Sequence, residues 1–579
     1  MPSLVGSEMC IRDRFIDMNK IAYMTCVLSL AFTMQACDDF LDSFPQDTVT
    51  NENFWKSKED ADKVLVDIYA SLLPKDAIFF DEAMSDNAYL VWDWWGGAQQ
   101  VANGSYTTSG EIPTNRWNGS YEVIRKCWFL LEGIEKIEDI SEQDKNKIIG
   151  ETYFMLAYNY YVLTSYFGDV PLVTKTLAIP ESKQLVRTPK AEVVDYAINK
   201  LKEAAVMLEG LSQEKGRVTA DACRFLIARM YLYNGDYSNV LETVKLLEGK
   251  YQLYREGDTP YEDLFSGVAE NSCEVILSVV CDKRVGEIYT SHGGNGIMLL
   301  KGITGEDPYR GVTPSGSLVD AYPMADGRLI HEAGSSYDPK KPYEGRDPRF
   351  YQSIVYPTGQ IKYLDVETGT VKERLYDPED PTTVPEHQYN YSQPSATGYM
   401  WNKYIDYSVY AMNSVWDCTN DIIVFRYADV LLMKAEALLQ TKGESAKEEV
   451  CNLIDQLRDR CSCGRVHREN YNSKDELMEL LKNERRIELA NEGLRYMDLI
   501  RWKDAEKNTI VTGVGLTGQM YGAYMRKDGV GKDDKTVDVD NTPRRYIETR
   551  YFNASKGYLF PIPQKERDLN PNLTQNPNW

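Results

Sequence analysis

Residues 426–457 read RYADVLLMKAEALLQTKGESAKEEVCNLIDQL, and the spacing of their apolar residues decides the fold. Ala428, Leu431, Leu432, Ala435, Leu438 and Leu439 recur at intervals of three and four, which lines them up on one face of a helix. Lys442-Gly443-Glu444-Ser445 interrupts the pattern, and a second stripe follows in Ala446, Val450, Leu453, Ile454 and Leu457. Two amphipathic helices joined by a short glycine turn predict an antiparallel pair. The design repeats at 222–233 and 237–247, around Asn234-Gly235-Asp236, and a further helix over about 147–167 ends at Gly168-Asp169. The tetrads YFGD (166–169) and YNGD (233–236) lie roughly two tetratricopeptide periods apart. Ser473-Lys474-Asp475-Glu476 has the form of a capping box. It predicts a helix burying Leu477, Leu480, Leu481, Ile487, Ala490, Leu494 and Met497.

Between these runs lie long Gly-, Pro- and Tyr-rich stretches, chiefly 76–120, 282–420 and 510–560, read as elaborate loops of the kind that carry function. The expected architecture is mainly α: a TPR-like helical scaffold, with helix pairs within about 145–250 and 426–505, long irregular loops and a few short strands. The chain has 579 residues, 43% of them hydrophobic, enough for a large core. Its 65 basic and 88 acidic residues give a net charge of −23, which repels nucleic acid in the absence of a basic patch. The four histidines (His292, His331, His387, His467) form no HExxH motif. Tyrosine is abundant, at 40 residues.

Residues 20–37, KIAYMTCVLSLAFTMQAC, combine a basic start, an apolar stretch too short to serve as a membrane span, and a small residue followed by cysteine. This resembles a bacterial lipoprotein signal (18–36), with Cys37 as the lipidated first mature residue; a cleaved secretory signal without lipid is the alternative. Residues 1–17 read as a non-native N-terminal extension. Asp38-Asp39 favours the lipid reading, and several acyl chains on one thiol would hold the protein firmly. Cys451, Cys461, Cys463 and His467 fit no common zinc spacing. No metal or other cofactor is expected.

Three segments then match one family: RYADVLLMKAEA (426–437), ERRIEL with EGLRYMDLIRW (484–489 and 492–502), and the tail YLFPIP with NPNL and QNPNW (558–563, 570–573, 575–579). With FGDVPLV (167–173) and CDDFLDSFPQ (37–46), these resemble the SusD/RagB family of Bacteroidota surface lipoproteins. The resemblance covers 37–579 as a single domain. It implies a helical fold with TPR-like units, no catalytic turnover, capture of a polymer-derived nutrient (usually a glycan), and a SusC-like TonB-dependent transporter as partner in the outer membrane. The charged residues of 484–501 read as a structural lattice, for example Glu492 with Arg495, rather than as a ligand site.

A glycan site needs flat aromatic rings for the C–H faces of sugars and carboxylates or amides for their hydroxyls. The best cluster is Asp86, Asn87, Tyr89, Trp92, Asp93, Trp94 and Trp95, followed by Gly96-Gly97. In SusD-like proteins the corresponding early loop often contributes to binding. Tyr289, His292, Tyr309, Arg310 and Tyr322 form a second supply, and Tyr389, Tyr391, Tyr399, Trp401, Tyr404 and Trp416 a third. Loop-rich ligand-binding regions are therefore expected at about 76–120 and 282–420. Peptide capture and, from another class, surface glycoside hydrolysis stay open as alternatives. Gly513-Val514-Gly515-Leu516-Thr517-Gly518 fits GxGxxG but lacks a surrounding βαβ unit, and Asp533, Asp534, Asp538 and Asp540 lack EF-hand spacing.

Overall fold

The computed structural model describes residues 54–73, 76–92, 97–211, 213–284, 287–290, 294, 298, 311–365, 368, 370–376, 395–406, 418–524 and 535–579. Residues 57–579 form one unit, which carries every described helix and strand.

The principal helices are α1 (Lys58–Tyr69), α2 (Ala77–Ala83), α3 (Glu111–Ile134), α4 (Glu142–Phe167), α5 (Lys190–Met207), α6 (Ala220–Tyr233), α7 (Tyr237–Val244), α8 (Tyr427–Lys442), α9 (Lys447–Arg460), α10 (Lys474–Glu488) and α11 (Arg495–Arg501); the periodicities read from sequence correspond to α4 and α6 to α10. From α3 to α7 each packs on its predecessor, and α8, far along the chain, lies against α7 and extends the array to α9 and α10. Starts are fixed by caps: the Thr219 hydroxyl accepts from Ala222 N (3.1 Å), and Ser473 accepts from Glu476 N (3.2 Å) while Glu476 accepts from Ser473 N (2.9 Å). The two tetrads end their helices at Gly168 and Gly235, both left-handed with φ of 74° and 75°, a conformation that glycine adopts without steric cost.

Among the strands, β1 (Ala88–Leu90), β2 (Val275–Val279), β3 (Val312–Pro314), β4 (Gly359–Asp365), β5 (Thr370–Tyr376), β6 (Ile422–Arg426), β7 (Gly518–Tyr524), β8 (Thr536–Val539) and β9 (Thr542–Arg550) make small antiparallel sheets. β1 pairs with β3, β2 with β6, β4 with β5, and β9 lies between β7 and β8. Two expectations are corrected here. The stretch 510–560 is built around a three-stranded sheet, because Val537 and Val539 alternate inward against Tyr521. The region 76–120 likewise holds α2, a six-residue helix (Ala98–Asn103) and the start of α3.

The helix after the capping box is also not continuous. It stops at Glu488, and Asn491 (φ 61°) and Gly493 (φ 71°) turn the chain into α11. Gly493 faces the backbone of α2 so closely that a Cβ would lie 3.1 Å from Ile78 Cα. The turn lets Glu492 face away from its own helix. It pairs with Arg426 (2.6 Å) and Lys403 (2.7 Å), not with Arg495, which goes to Asp86.

These contacts belong to a buried ion cluster. Glu488, at the end of α10, meets Arg426 (2.8 Å), Arg460 (2.6 Å) and Arg349 (2.9 Å). Glu274 joins Arg426 and Arg460, Glu484 joins Arg349 and Arg458, and Asp347 joins Arg349. Five cations thus face five anions, every side chain at 6% exposure or less. Tyr261 and Phe265 wall the cluster, with Lys403 Nζ 4.0 Å from the Phe265 centroid and Arg460 over the Tyr261 ring. Burial opposes the charge on Glu488, yet its three arginines hold the carboxyl well below the usual range. A second cluster links α6, α8, α10 and α11 through Arg229, Asp429, Arg485, Asp498, Arg501 and Glu436.

The tail segments are structural as well. Phe560 N donates to Tyr166 O (2.7 Å), Asn576 Nδ2 donates to the carbonyls of Phe167 (2.9 Å) and Phe560 (2.7 Å), and Arg187 reaches Asn576 Oδ1. The FGD turn is where the C-terminus is stitched to α4.

Removing one member of the five-against-five cluster leaves uncompensated charge in a dry interior. Glu488→Ala should therefore cost about 3–5 kcal/mol of stability, against about 1 kcal/mol for the capping variant Ser473→Ala. Calorimetric melting of the two variants beside the parent protein checks the ranking.

Candidate functional site

The segment from Ser85 to Trp92 follows α2 and is held from several sides. Ser85 Oγ donates to Glu82 O (2.7 Å) and Asn87 Nδ2 to Glu82 Oε1 (2.7 Å). Arg486 Nε donates to Asn87 Oδ1 (2.7 Å), and Arg495 grips both oxygens of Asp86 at 2.8 and 2.9 Å. Gly515 N adds a third bond to Asp86 Oδ2 (3.0 Å). From the sheet, Arg550 donates to the carbonyls of Ser85 (2.6 Å) and Ala88 (3.1 Å). β1 then pairs with β3, Tyr89 opposite Thr313.

What emerges from this scaffold is a pair of half-buried rings, Tyr89 and Trp92. Ala88 and Leu90 are fully buried, so the strand alternation turns Tyr89 the other way, where Gln99 Nε2 donates to its hydroxyl (3.3 Å). Val91 N donates to Gly311 O (2.8 Å), and the six-membered ring of Trp92 lies on Gly311: a Cβ there would sit 2.7 Å from Cζ3. The glycine is the seat of the indole.

The structure sorts the residues selected from sequence. Tyr89, on β1, and Trp92, two residues beyond it, are both partly exposed. Asp86 and Asn87 are corrections: both are buried, and their polar atoms are taken up by Arg495, Arg486, Glu82 and Gly515, so they fix the segment instead of meeting a ligand. Tyr399 and Trp401 are corrections of a second kind, fully buried where Trp401 pairs opposite Ile354 and Tyr399 hydrogen-bonds Tyr343 (3.2 Å). Tyr322 and Tyr404 are buried too. Asp93, Trp94, Trp95, Tyr309, His292, Arg310, Tyr389, Tyr391, Trp416 and Cys37 lie outside the described residues, and Tyr289 is described only as part of a strand, Glu287–Thr290. Gln99, on the Ala98–Asn103 helix, was not legible as a site residue, because only the fold sets it beside Tyr89. The GxGxxG glycines form the turn that leads into β7, preceded by the short helix Thr509–Thr512, with Gly515 committed to Asp86.

Two carboxyls behind the rings have opposite fates. Burial disfavours charge on Asp86, but Arg486 and Arg495 outweigh it and hold the carboxyl far below its usual range. Among the described residues Glu82 has no arginine partner. Burial raises it to about 6, opposed by backbone bonds from Asn491 and Gly493 and the side-chain amide of Asn87.

Comparison with known proteins agrees with this architecture. Residues 273–579 match the family described as the SusD family, and residues 39–232 match one described as starch-binding and associating with the outer membrane. A SusD-like protein P38 of Formosa agariphila is 26% identical over 495 residues, covering 82% of this chain and 89% of its own. A SusD-like carbohydrate-binding protein of Bacteroides fragilis superposes with a TM-score of 0.76 at 25% identity, over 90% of this chain and all of its own. A laminarin-binding SusD-like protein shares the fold, with a TM-score of 0.65 at 20% identity over 91% of this chain and all of its own.

Glu82 gives a pH signature for the scaffold. Its folded-state pKa lies above the ordinary 4.5, so between about pH 4.5 and 6 the folded protein holds the extra proton, and stability falls as pH rises through that window. Glu82→Gln removes this titration. The stability of the variant relative to the parent should therefore rise by about 2 kcal/mol between pH 4.5 and 7, read from denaturant midpoints at each pH.

Proposed function

The chain belongs to the SusD family, and on that premise we propose that it is a cell-surface lipoprotein that captures oligo- or polysaccharide and delivers it to a SusC-like TonB-dependent transporter. In this reading Cys37 carries the acyl chains that hold the protein on the outer membrane, and the glycan settles on the rings of the 89–95 segment. The observation that carries it is the placement of Tyr89 and Trp92: two partly exposed rings on a backbone too firmly held to collapse inward. A sugar presents C–H groups on its faces and hydroxyls at its rim, so a rigid ring offers contact area at little entropic cost, and an amide such as that of Gln99 takes the rim. The laminarin-binding protein of the same fold and the starch-binding description of residues 39–232 support this substrate class.

Binding without turnover is supported by the state of the acidic residues singled out in 484–498. Glu484, Glu488, Glu492 and Asp498 are each buried against arginine or lysine, whereas glycoside hydrolysis needs carboxyls facing a cleft.

In affinity electrophoresis against a panel of polysaccharides, the parent protein should be retarded by at least one glycan, and the triple variant W92A/W94A/W95A should run free. Retardation unchanged in that variant refutes the site; binding of peptides and of no glycan refutes the substrate class; release of soluble sugar refutes the binder. Gly311→Ala, which lifts the seat of Trp92, should weaken retention about threefold to tenfold. Cys37→Ala in the full chain should move the protein from the membrane pellet to the soluble fraction.

A further inference from the structure

We propose that Tyr551 is a second aromatic platform on the same face, so that the site takes an oligosaccharide chain rather than a single sugar ring. This rests on the glycan-binding reading above. Tyr551 directly follows β9 and is 64% exposed. Its neighbours on either side are anchored. Arg550 is buried and donates to the carbonyls of Ser85 and Ala88, the segment that carries Tyr89. Phe552 is buried against Tyr558, with ring centroids 5.0 Å apart, and its N–H donates to Thr517 Oγ1 (3.3 Å).

The Tyr551 carbonyl is also pressed against Gly104. A Cβ at that glycine would fall 2.0 Å from the oxygen, and the φ of 78° suits glycine besides. Backbone thus meets backbone, and the ring is left pointing to solvent from a fixed base. The connection to the first site runs through one short element. The helix Ala98–Asn103 begins beside Tyr89, where Gln99 donates to the tyrosine hydroxyl, and ends at Gly104 beside Tyr551. Gln99 and Gly104 lie five positions apart, a backbone rise of roughly 8 Å along the axis. A short chain lying along this helix, rather than one sugar ring, would reach from the first tyrosine to the second. Asn103 on this helix and the exposed Thr549 supply amide and hydroxyl groups along the way, which suit sugar hydroxyls.

The test uses the full chain and an oligosaccharide series, from disaccharide upward, cut from a polysaccharide that retards the parent protein. Affinities are measured by calorimetry for the parent, Y551A, Y551F and W92A. Y551A should bind the longer oligosaccharides about five- to tenfold more weakly while leaving the disaccharide unchanged. Y551F keeps the ring and should bind as the parent does. W92A should weaken every length. Equal affinity of Y551A and the parent at all lengths overturns the proposal and leaves the glycan site standing. Equal weakening of Y551A at all lengths also overturns it, because Tyr551 would then act only by supporting the first site. Failure of the parent protein to bind any glycan overturns both.

Discussion

Ten charged side chains buried in one place constrain this molecule more than any apolar contact does. Each charge taken out of water carries a desolvation penalty of several kcal/mol, offset only where an opposite charge stands at hydrogen-bond distance. Here the members come from β6, α9, α10, the turn at Glu492 that follows it, the residue before β2, the short helix Pro348–Ser353 with its capping Asp347, and the turn at Lys403. All must arrive together, since a structure lacking one of them strands the rest. The cluster ties the helical array to the irregular half of the chain, which has few long elements of its own. Lys403 shows how finely it is balanced: burial and Arg426 push its ammonium down to about 8, even with Glu492 at 2.7 Å.

The same device recurs beside Tyr89 and Trp92 on a smaller scale. Asp86 lies between Arg486 and Arg495, and Asn87 between Glu82 and Arg486. Their effect is to immobilise a segment whose flanking residues are aromatic. Rings held this way lose little freedom on binding, so more of the stacking energy is realised as affinity. The tail acts likewise, with Asn576 donating to the buried carbonyls of Phe167 and Phe560.

The helical half was legible because its signals are local. The stripe of 428–439, the break at Gly443, the two glycine-terminated tetrads and the Ser473 capping box each depend on neighbours within a few positions, and each appears where the spacing put it. The partly exposed rings of the candidate site were legible in part. Tyr89 and Trp92 sit in the one aromatic-dense run with turn residues after it, and that composition survives folding. Asp86 and Asn87 looked like ligand groups for the same reason, but sequence carries no sign that Arg486 and Arg495, some four hundred residues on, would claim them. Tyr399 and Trp401 failed as candidates because a short strand pairing with Ile354–Val355 draws them into the core.

By itself the sequence determined the helix pairs, their caps and stops, the acidic surface and the family to which the chain belongs, since all of these follow from residue identity and short-range periodicity. Tertiary structure alone decided which charges are paired and which rings reach solvent. Both are matters of burial, and burial is set by what distant segments bring to the same place: Arg550 to the carbonyls of Ser85 and Ala88, Gly311 beneath Trp92, and Arg495 to Asp86.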